Sequence, residues 1–508
     1  MTLLAPLLEF IHQVNAILVV LVSWVSMIPG SSIVFRYIRN SYQNDPVRIV
    51  LELFLVFFAI RYMVQSSYSI NHRTLELSEK EVDELVGEWE PEPLVPLVSA
   101  KKRRDLDTTH VIVGANGPCV EVQGKGSQIN LALFDFMGLL GDQAIKDESK
   151  RILRTYGVGT CGPAGFYGTI DLHQQLEKDL AAFFGAEAAI IYAQGFSTVV
   201  SLIPAFSKRG DIIICDDGAA FTIQRGIQLS RSHVKYYKHN DMADLERVLK
   251  EVDAEERKKK RPLTRRFIIA EGLSQNYGDI APLPDLIRLK KQYKYRLILD
   301  ESLSVGVLGK HGRGLTEHFN VPASDVDMLA GNMANSLCSA GGFCAGSIEI
   351  IDHQRLGATA YCFSASLPAI MAKSVILALQ RAQSEPERFE RLSANIQAFR
   401  AAFGDSSYFD IVGDMQSPVM HMRMRQTSSI ADRSEQNDIL FSIEDKMSEH
   451  GFLVRRALYV EAQERALPAP SLRLCVTAGH TTEQLTSAAR ALREISDTQM
   501  QQALDGRA

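Results

Sequence analysis

Paired cysteines, a surplus of positive charge and long uninterrupted apolar runs are all missing from this sequence of 508 residues. Each absence closes off a class of protein. The seven cysteines, Cys119, Cys161, Cys215, Cys338, Cys344, Cys362 and Cys475, are scattered without a C-x-x-C pair. An odd, dispersed set in a long chain fits reduced thiols facing a cytosolic environment, not a disulfide framework. No zinc-ligand spacing occurs either. A formal net charge of −5 gives no reason to expect nucleic acid, which favours a basic patch or stripe. No stretch reaches the roughly 18 to 20 uninterrupted apolar residues of a clear membrane span. The composition is otherwise that of ordinary globular material, 46% hydrophobic and 23% charged. The chain is long enough for a large core, two lobes and something extra.

The extra part lies at the N-terminus. Two dense apolar runs, "AILVVLVSWVSMIP" (Ala16 to Pro29) and "RIVLELFLVFFAIRYMV" (Arg48 to Val64), stand apart from the rest. The second becomes long enough to span a bilayer if Arg48 and Arg61 carry their charges out to the two interfaces. Glu52 would then need a partner, because an ionisable group inside a membrane is costly. Residues 1–65 are therefore expected to be membrane-associated. One helix should span at 47–64, and the run at 14–29 should lie in the interface or cross it. The alternative is a pair of core helices packed on the globular part. A cleaved signal peptide does not fit, since no basic n-region precedes the first run and no small-residue cleavage site comes after it.

Residues 66–107 form a connector. Ser78 with Glu81 makes a capping box that should open a short amphipathic helix. Pro91, Pro93 and Pro96 then enforce an extended arm. "KKRR" at 101–104 fits a solvated turn, or less simply a contact with anionic headgroups. Beyond it, short apolar runs alternate with helix-length amphipathic segments. "AAIIYA" (188–193), "DIIICD" (211–216), "RFIIAEG" (266–272) and "YRLILDES" (295–302) have the pattern of buried strands. "LHQQLEKDLAAFFG", "AFTIQRGIQLS" and "MADLERVLKEVDAEERKKK" between them have helical periodicity. The expectation is an α/β fold, a mostly parallel sheet sandwiched by helices over 108–384. A smaller α+β lobe should occupy 385–498, with strands near "VMHMRMR" and "SLRLCV" and a tail at 499–508.

Single motifs are weak. "YGVGTCGPAGFYGT" (156–169) contains G-x-G-x-x-G at Gly157, Gly159 and Gly162, but a helical stretch precedes it and Pro163 interrupts the residues after it. That is wrong for a dinucleotide fingerprint, and no G-K-[ST] closes the loop as in a P-loop. The glycines fit a tight loop at a subunit or ligand surface. "AQGFST" (193–198), between strand and helix, offers free amides to an anion, although most such turns bind nothing. Asp300 ends a strand, where a carboxylate suits a protonated pyridine nitrogen or, equally, a helix cap.

Together the segments are specific. Their order is the glycine-rich loop, "DDGAAF", "EGLSQNYGDIAPLP", "LDESLSVGVLG", "GNMANSLCSAGGF", "YCFSASLP" and "SLRLCVTAGHT". This resembles the α-oxoamine synthases, a branch of the fold-type I pyridoxal phosphate transferases, over about residues 108–498. The resemblance is particular to the first-subunit branch, of fungal type, among the long-chain-base subunits of serine palmitoyltransferase. It implies a two-fold arrangement with sites at the seam, in the endoplasmic reticulum membrane with the globular part cytosolic.

The resemblance also locates departures. Where catalytic relatives place the cofactor lysine, this chain has Asn335; an amide nitrogen, its lone pair delocalised, cannot take that role. The ring-stacking histidine falls at Ala220 and a second histidine at Leu303, so no catalytic residue is expected in this chain. Asp300 is kept, as is Arg473, which matches the arginine that binds the amino-acid carboxylate. The implied arrangement is an obligate heterodimer in which pyridoxal phosphate is bound covalently by a lysine-bearing second long-chain-base subunit. That complex would condense serine with palmitoyl-CoA to 3-ketodihydrosphingosine, the first step of sphingolipid synthesis. Ser364 and Ser366 are the candidates to approach the partner's cofactor phosphate, with Cys161, Tyr167 and Tyr361 lining the seam; all of these equally fit plain interface packing. A small activating subunit and an Orm-type membrane regulator are implied too, with Glu52 and Arg61 as contacts. The alternatives are a scaffold that contributes nothing to any active site and a homodimeric 5-aminolevulinate or glycine C-acetyltransferase type of synthase, which Asn335 argues against.

Overall fold

The computed structural model describes residue 27 and residues 29–44, 46–64, 77–95, 97–259, 264–425 and 430–506. They fall into two compact units, Met1–Arg103 and Arg104–Ala508. The first contains α1 (Ser31–Asn44), α2 (Pro46–Val64) and α3 (Glu79–Glu88), and the boundary falls within α4 (Ala100–Asp107). A helix does form where the membrane span was expected, and its apolar side chains are exposed. Arg48, Glu52 and Arg61 interrupt it, however, and among the described residues no helix is long and apolar enough to cross a membrane. The expected span at 47–64 is thus not supported. Apart from Met27 and Pro29, the run at 14–29 lies outside the described residues. The capping box of α3 forms as expected: the Ser78 hydroxyl accepts from the Glu81 N–H, and the Ser78 N–H donates to the Glu81 carboxylate at 2.8 Å.

In the second unit β1 (Ile112–Val113), β2 (Cys119–Val122) and β3 (Gly126–Asn130) form a small sheet. Its fourth strand is β13 (Phe452–Leu453), parallel to β3 and over three hundred residues later. The main sheet is built from β4 (Ala188–Tyr192), β5 (Ile212–Asp216), β6 (His233–Tyr237), β7 (Arg266–Glu271), β8 (Arg296–Asp300), β9 (Met328–Asn332) and β10 (Gly342–Gly346). Their order is β4-β10-β9-β8-β7-β5-β6, and only β10 runs against its neighbours. The four apolar runs chosen from sequence are β4, β5, β7 and β8.

Strand residues alternate between two hydrophobic cores, as a sheet covered on both faces requires. Ile212, Ile214, Leu297 and Leu299 belong to one core, and Ile213, Cys215 and Ile298 to the other. The first is closed by α5 (Gln143–Tyr156), α6 (Asp171–Phe184), α9 (Met242–Lys259), α10 (Leu283–Tyr293) and α14 (Ala369–Ser384); the second by α7 (Gly195–Phe206), α8 (Phe221–Ser230) and α12 (Ile348–Gly357). Short helices α11 (Leu315–His318) and α13 (Thr359–Cys362) punctuate the connections. A third sheet is antiparallel, with β11 (Phe409–Val412), β12 (Val419–Met424), β15 (Ser471–Cys475) and β14 (Arg455–Arg456) in that order. It lies with α15 (Glu387–Phe403), α16 (Arg433–Glu449) and α17 (Thr482–Asp505), and β12 and β15 are the two strands expected there.

Candidate functional site

Three strands of the main sheet end in carboxylates: β5 in Asp216, β7 in Glu271 and β8 in Asp300. Parallel pairing sets Glu271 opposite Asp300, at the carboxyl edge where open α/β sheets gather their ligands. Asp300 is buried and accepts the Ser302 N–H at 2.9 Å, and burial lifts its pKa. Glu271 accepts the Ala220 N–H at 3.0 Å; burial, then the charge of Asp300, pushes it up to about 8. Two carboxylates in one dry site do not both ionise, so the pair holds a proton at neutral pH.

Asp216 accepts N–H groups of Gly218 (2.8 Å) and Asn240 (3.0 Å) and faces His239 Nδ1 at 2.8 Å. The other nitrogen of His239 lies 3.4 Å from Asp279, and its ring stacks on Tyr277 at 4.2 Å. Burial alone would lower the pKa of His239, but the bonds to Asp216 and Asp279 hold it up at about 9, leaving it cationic at neutral pH.

The positions expected to have lost catalytic groups surround this edge. Ala220 is buried at the start of α8 and offers no side-chain cap, and Leu303 is part of the core. Asn335 donates through Nδ2 to the Ser302 carbonyl at 2.8 Å, two hydrogen bonds away from Asp300. At the start of α7, a Cβ on Gly195 would lie 2.6 Å from the Asn332 side chain, so only glycine allows that close approach. Arg473, on β15, lies across β12 from this region with its guanidinium over the Phe134 ring at 4.8 Å.

The other candidates gather elsewhere. The glycine-rich loop zips onto residues 363–366: the Ser366 N–H donates to the Gly162 carbonyl at 3.0 Å, its hydroxyl lies within hydrogen-bond reach of the Gly168 carbonyl and, at 2.9 Å, of Thr160 Oγ1, and Pro163 pairs with Ala365. Gly168 is obligatory here, since a Cβ would lie 1.9 Å from the Gly162 carbonyl. Cys161 takes φ 56°. Around it Val158, Phe166, Tyr167 and Phe363 are 75–84% exposed, and Ser364 beside them is half-buried, its hydroxyl 3.4 Å from the Ala365 carbonyl. Tyr361 is buried instead, its hydroxyl accepting from Arg355, which is paired with Glu177. Glu52 and Arg61 are both on α2; the Tyr37 hydroxyl donates to Glu52 at 3.4 Å.

The family model for class I and II aminotransferases matches residues 127–492. Serine palmitoyltransferase 1 of Dictyostelium discoideum is 42% identical over 415 residues, 80% of this chain and 85% of that protein. Serine palmitoyltransferase 1 of Saccharomyces cerevisiae is 35% identical over 519 residues, 92% of each chain. The chain belongs to the serine palmitoyltransferase 1 family. Its fold is that of the fold-type I pyridoxal phosphate transferases. A serine palmitoyltransferase from S. paucimobilis, solved with a bound PLP–myriocin aldimine, superposes with a TM-score of 0.69 at 22% identity, covering 79% of this chain and 96% of that one.

The residues of this family member do not fit a covalently held pyridoxal phosphate. The loop between β9 and β10 contains no lysine, and the Asn335 amide is spent on Ser302. Sequence reasoning singled out Asp300 but missed Asp216, Glu271 and His239. The signal was available, because "IIICD" and "RFIIAE" end in an acid just as "RLILD" does.

Proposed function

We propose that this chain is the subunit of serine palmitoyltransferase that does not hold pyridoxal phosphate. It forms an obligate heterodimer with a lysine-bearing second long-chain-base subunit, and the complex condenses serine with palmitoyl-CoA to 3-ketodihydrosphingosine. The observation that carries this reading is Asn335: where the family needs an amine there is an amide, hydrogen-bonded to Ser302. When bound to the partner, the cofactor supplies the electron sink for the carbon–carbon bond formation. This chain's own residues supply surface: the exposed Phe166, Tyr167 and Phe363 exclude water at the seam, and half-buried Ser364, bonded only to the neighbouring Ala365 carbonyl at 3.4 Å, is the candidate to face the partner's phosphate. The commitment of the Ser366 hydroxyl to Gly168 and Thr160 favours a positioning role for Ser366 and lends some weight to the pure-scaffold reading. Replacing Ser364 separates the two, since a scaffold tolerates S364A with full activity in the assembled complex.

The N-terminal unit, in this proposal, attaches the chain to the endoplasmic reticulum membrane with the globular part cytosolic, and meets the small activating subunit and the Orm-type regulator through α2. E52L should weaken regulator capture, and deletion of residues 1–65 should release the chain from alkali-washed membranes; unchanged capture and retention would count against these contacts. The decisive experiment is borohydride trapping of the complex purified through a tag on this chain, with peptide mapping of the adduct. An adduct only on the co-purifying partner supports the proposal. An adduct on a lysine of this chain replaces it with a self-sufficient synthase.

A further inference from the structure

The parallel strands of the main sheet begin at a basic edge, opposite the carboxylates. Lys208 and Arg209 precede β5, Arg265 and Arg266 stand at the start of β7, and Lys294 and Arg296 at the start of β8. Parallel pairing brings these starts to one edge. A cleft of about 720 Å³ opens there, lined by Arg265, Arg266, Lys294, Arg296 and His353, with Glu349 as its one acid among the described residues. The chain entering β7 has the same bias, with seven Lys or Arg and no acid among residues 257–266.

Much of this charge is unspent. Asp211 accepts the backbone N–H groups of Lys208 at 2.8 Å and Arg265 at 3.1 Å, so it ties two turns together without pairing a side-chain cation. Asp327 pairs with Lys290 and Arg296, and Asp253 with Arg257 and Arg266. The Arg265 guanidinium donates to the Phe206 carbonyl at 2.9 Å. Lys208, Arg209, Arg265 and Lys294 are exposed, and none has a carboxylate partner among the described residues. Thr264 lines the cleft with its hydroxyl buried and unpartnered, which is unfavourable until something completes it.

A protein surface seated here would ask for an apolar centre with aromatic anchors, but the apolar lining of the cleft, Phe206, Phe267, Met328 and Ile350, is recessed. Charge spread over three turns suits the headgroup layer of a membrane, which attracts clustered Lys and Arg without needing apolar contact. We propose that this edge of the main sheet docks on anionic phospholipid headgroups, with Arg265 and Lys294 as the central contacts and Lys208 and Arg209 beside them. The contact belongs to the second unit alone and does not rest on α2 or on the proposed heterodimer.

Flotation on phosphatidylcholine vesicles, with and without phosphatidylserine, tests this on the full chain with whatever partners accompany it. Neutral vesicles report what the apolar N-terminal segment contributes, and the excess on phosphatidylserine vesicles reports charge. K208Q/R209Q/K294Q removes three exposed charges that have no ion-pair partner among the described residues. At about fivefold per charge, it should cut the phosphatidylserine-dependent binding about a hundredfold and leave neutral binding unchanged. K146Q/K150Q/K178Q removes the same charge from exposed positions on α5 and α6 and should lose far less. An excess that is absent, that survives in the first variant, or that falls equally in both overturns the proposal. Binding of poly-glutamate but not of anionic vesicles also overturns it, in favour of an acidic protein partner.

Discussion

Glu271 and His239 make stability depend on pH at the carboxyl edge of the main sheet. Glu271 has a folded pKa of about 8 against an ordinary 4.5, so the folded chain binds its proton more tightly. The stability this gives is complete below pH 4.5 and is lost as pH rises through 8. His239, at about 9 against 6.5, contributes with the same sign: complete below 6.5, lost as pH rises through 9. The thermal midpoint of the complex should therefore fall steadily from pH 6 to 9, each group contributing at most about 1.4 kcal/mol per pH unit. E271Q should flatten the slope between 6 and 8, and an unchanged slope would show that Glu271 is not the group responsible. At the glycine-rich loop, S366A removes the one hydroxyl that Gly168 and Thr160 share and should cost about 1–3 kcal/mol. S364A, which loses only a 3.4 Å bond to the Ala365 carbonyl, should stay within about 0.5 kcal/mol in the same melting assay.

Helix α4 is tied down by charge. Buried Arg456 contacts Asp105 at 2.6 Å and Glu444 of α16 at 2.8 Å, while Arg104 pairs with Asp438 at 3.0 Å. Arg104 and Arg456 also both lie over the Phe441 ring, at 4.0 and 4.9 Å. R456M leaves Glu444 with the half-buried Arg455 alone and strands part of its charge. The expected cost is about 3–5 kcal/mol, with faster tryptic cleavage in the 101–104 segment. If α4 remains equally protected, the ion pairs do not hold it. The glycine-rich loop is fixed differently, by close backbone approach: G168A has no room beside Gly162 and should abolish co-purification of the partner more completely than S366A.

For the molecule as a whole, the exposed cluster of Val158, Phe166, Tyr167 and Phe363 is the sort of apolar surface that soluble monomers avoid. Expressed alone, the chain should self-associate and show no synthase activity. Light scattering with and without the second subunit checks the first, and a product assay the second. A monodisperse, active single chain would remove the case for a partner.

The sequence by itself determined the main sheet's buried strands, the helices between them, the capping box of α3 and the identity of the side chains at Asn335, Ala220 and Leu303. These are local properties: hydrophobic periodicity, propensity and the identity of a side chain. The tertiary structure decided the rest. β9 and β10, "MLAGN" and "GFCAG", have small residues that no propensity marks as strands; they pair because Gly331 and Gly342 leave room for Phe343 and Thr198. The parallel pairing of β3 with β13 joins segments more than three hundred residues apart. The consumption of the Ser366 hydroxyl, the burial of Tyr361 and the gathering of Arg265, Lys294 and Arg296 around one cleft likewise depend on which distant segments meet. A residue's chemistry is carried in its letter, but its partners are set only when long loops close and burial fixes who remains to be paired.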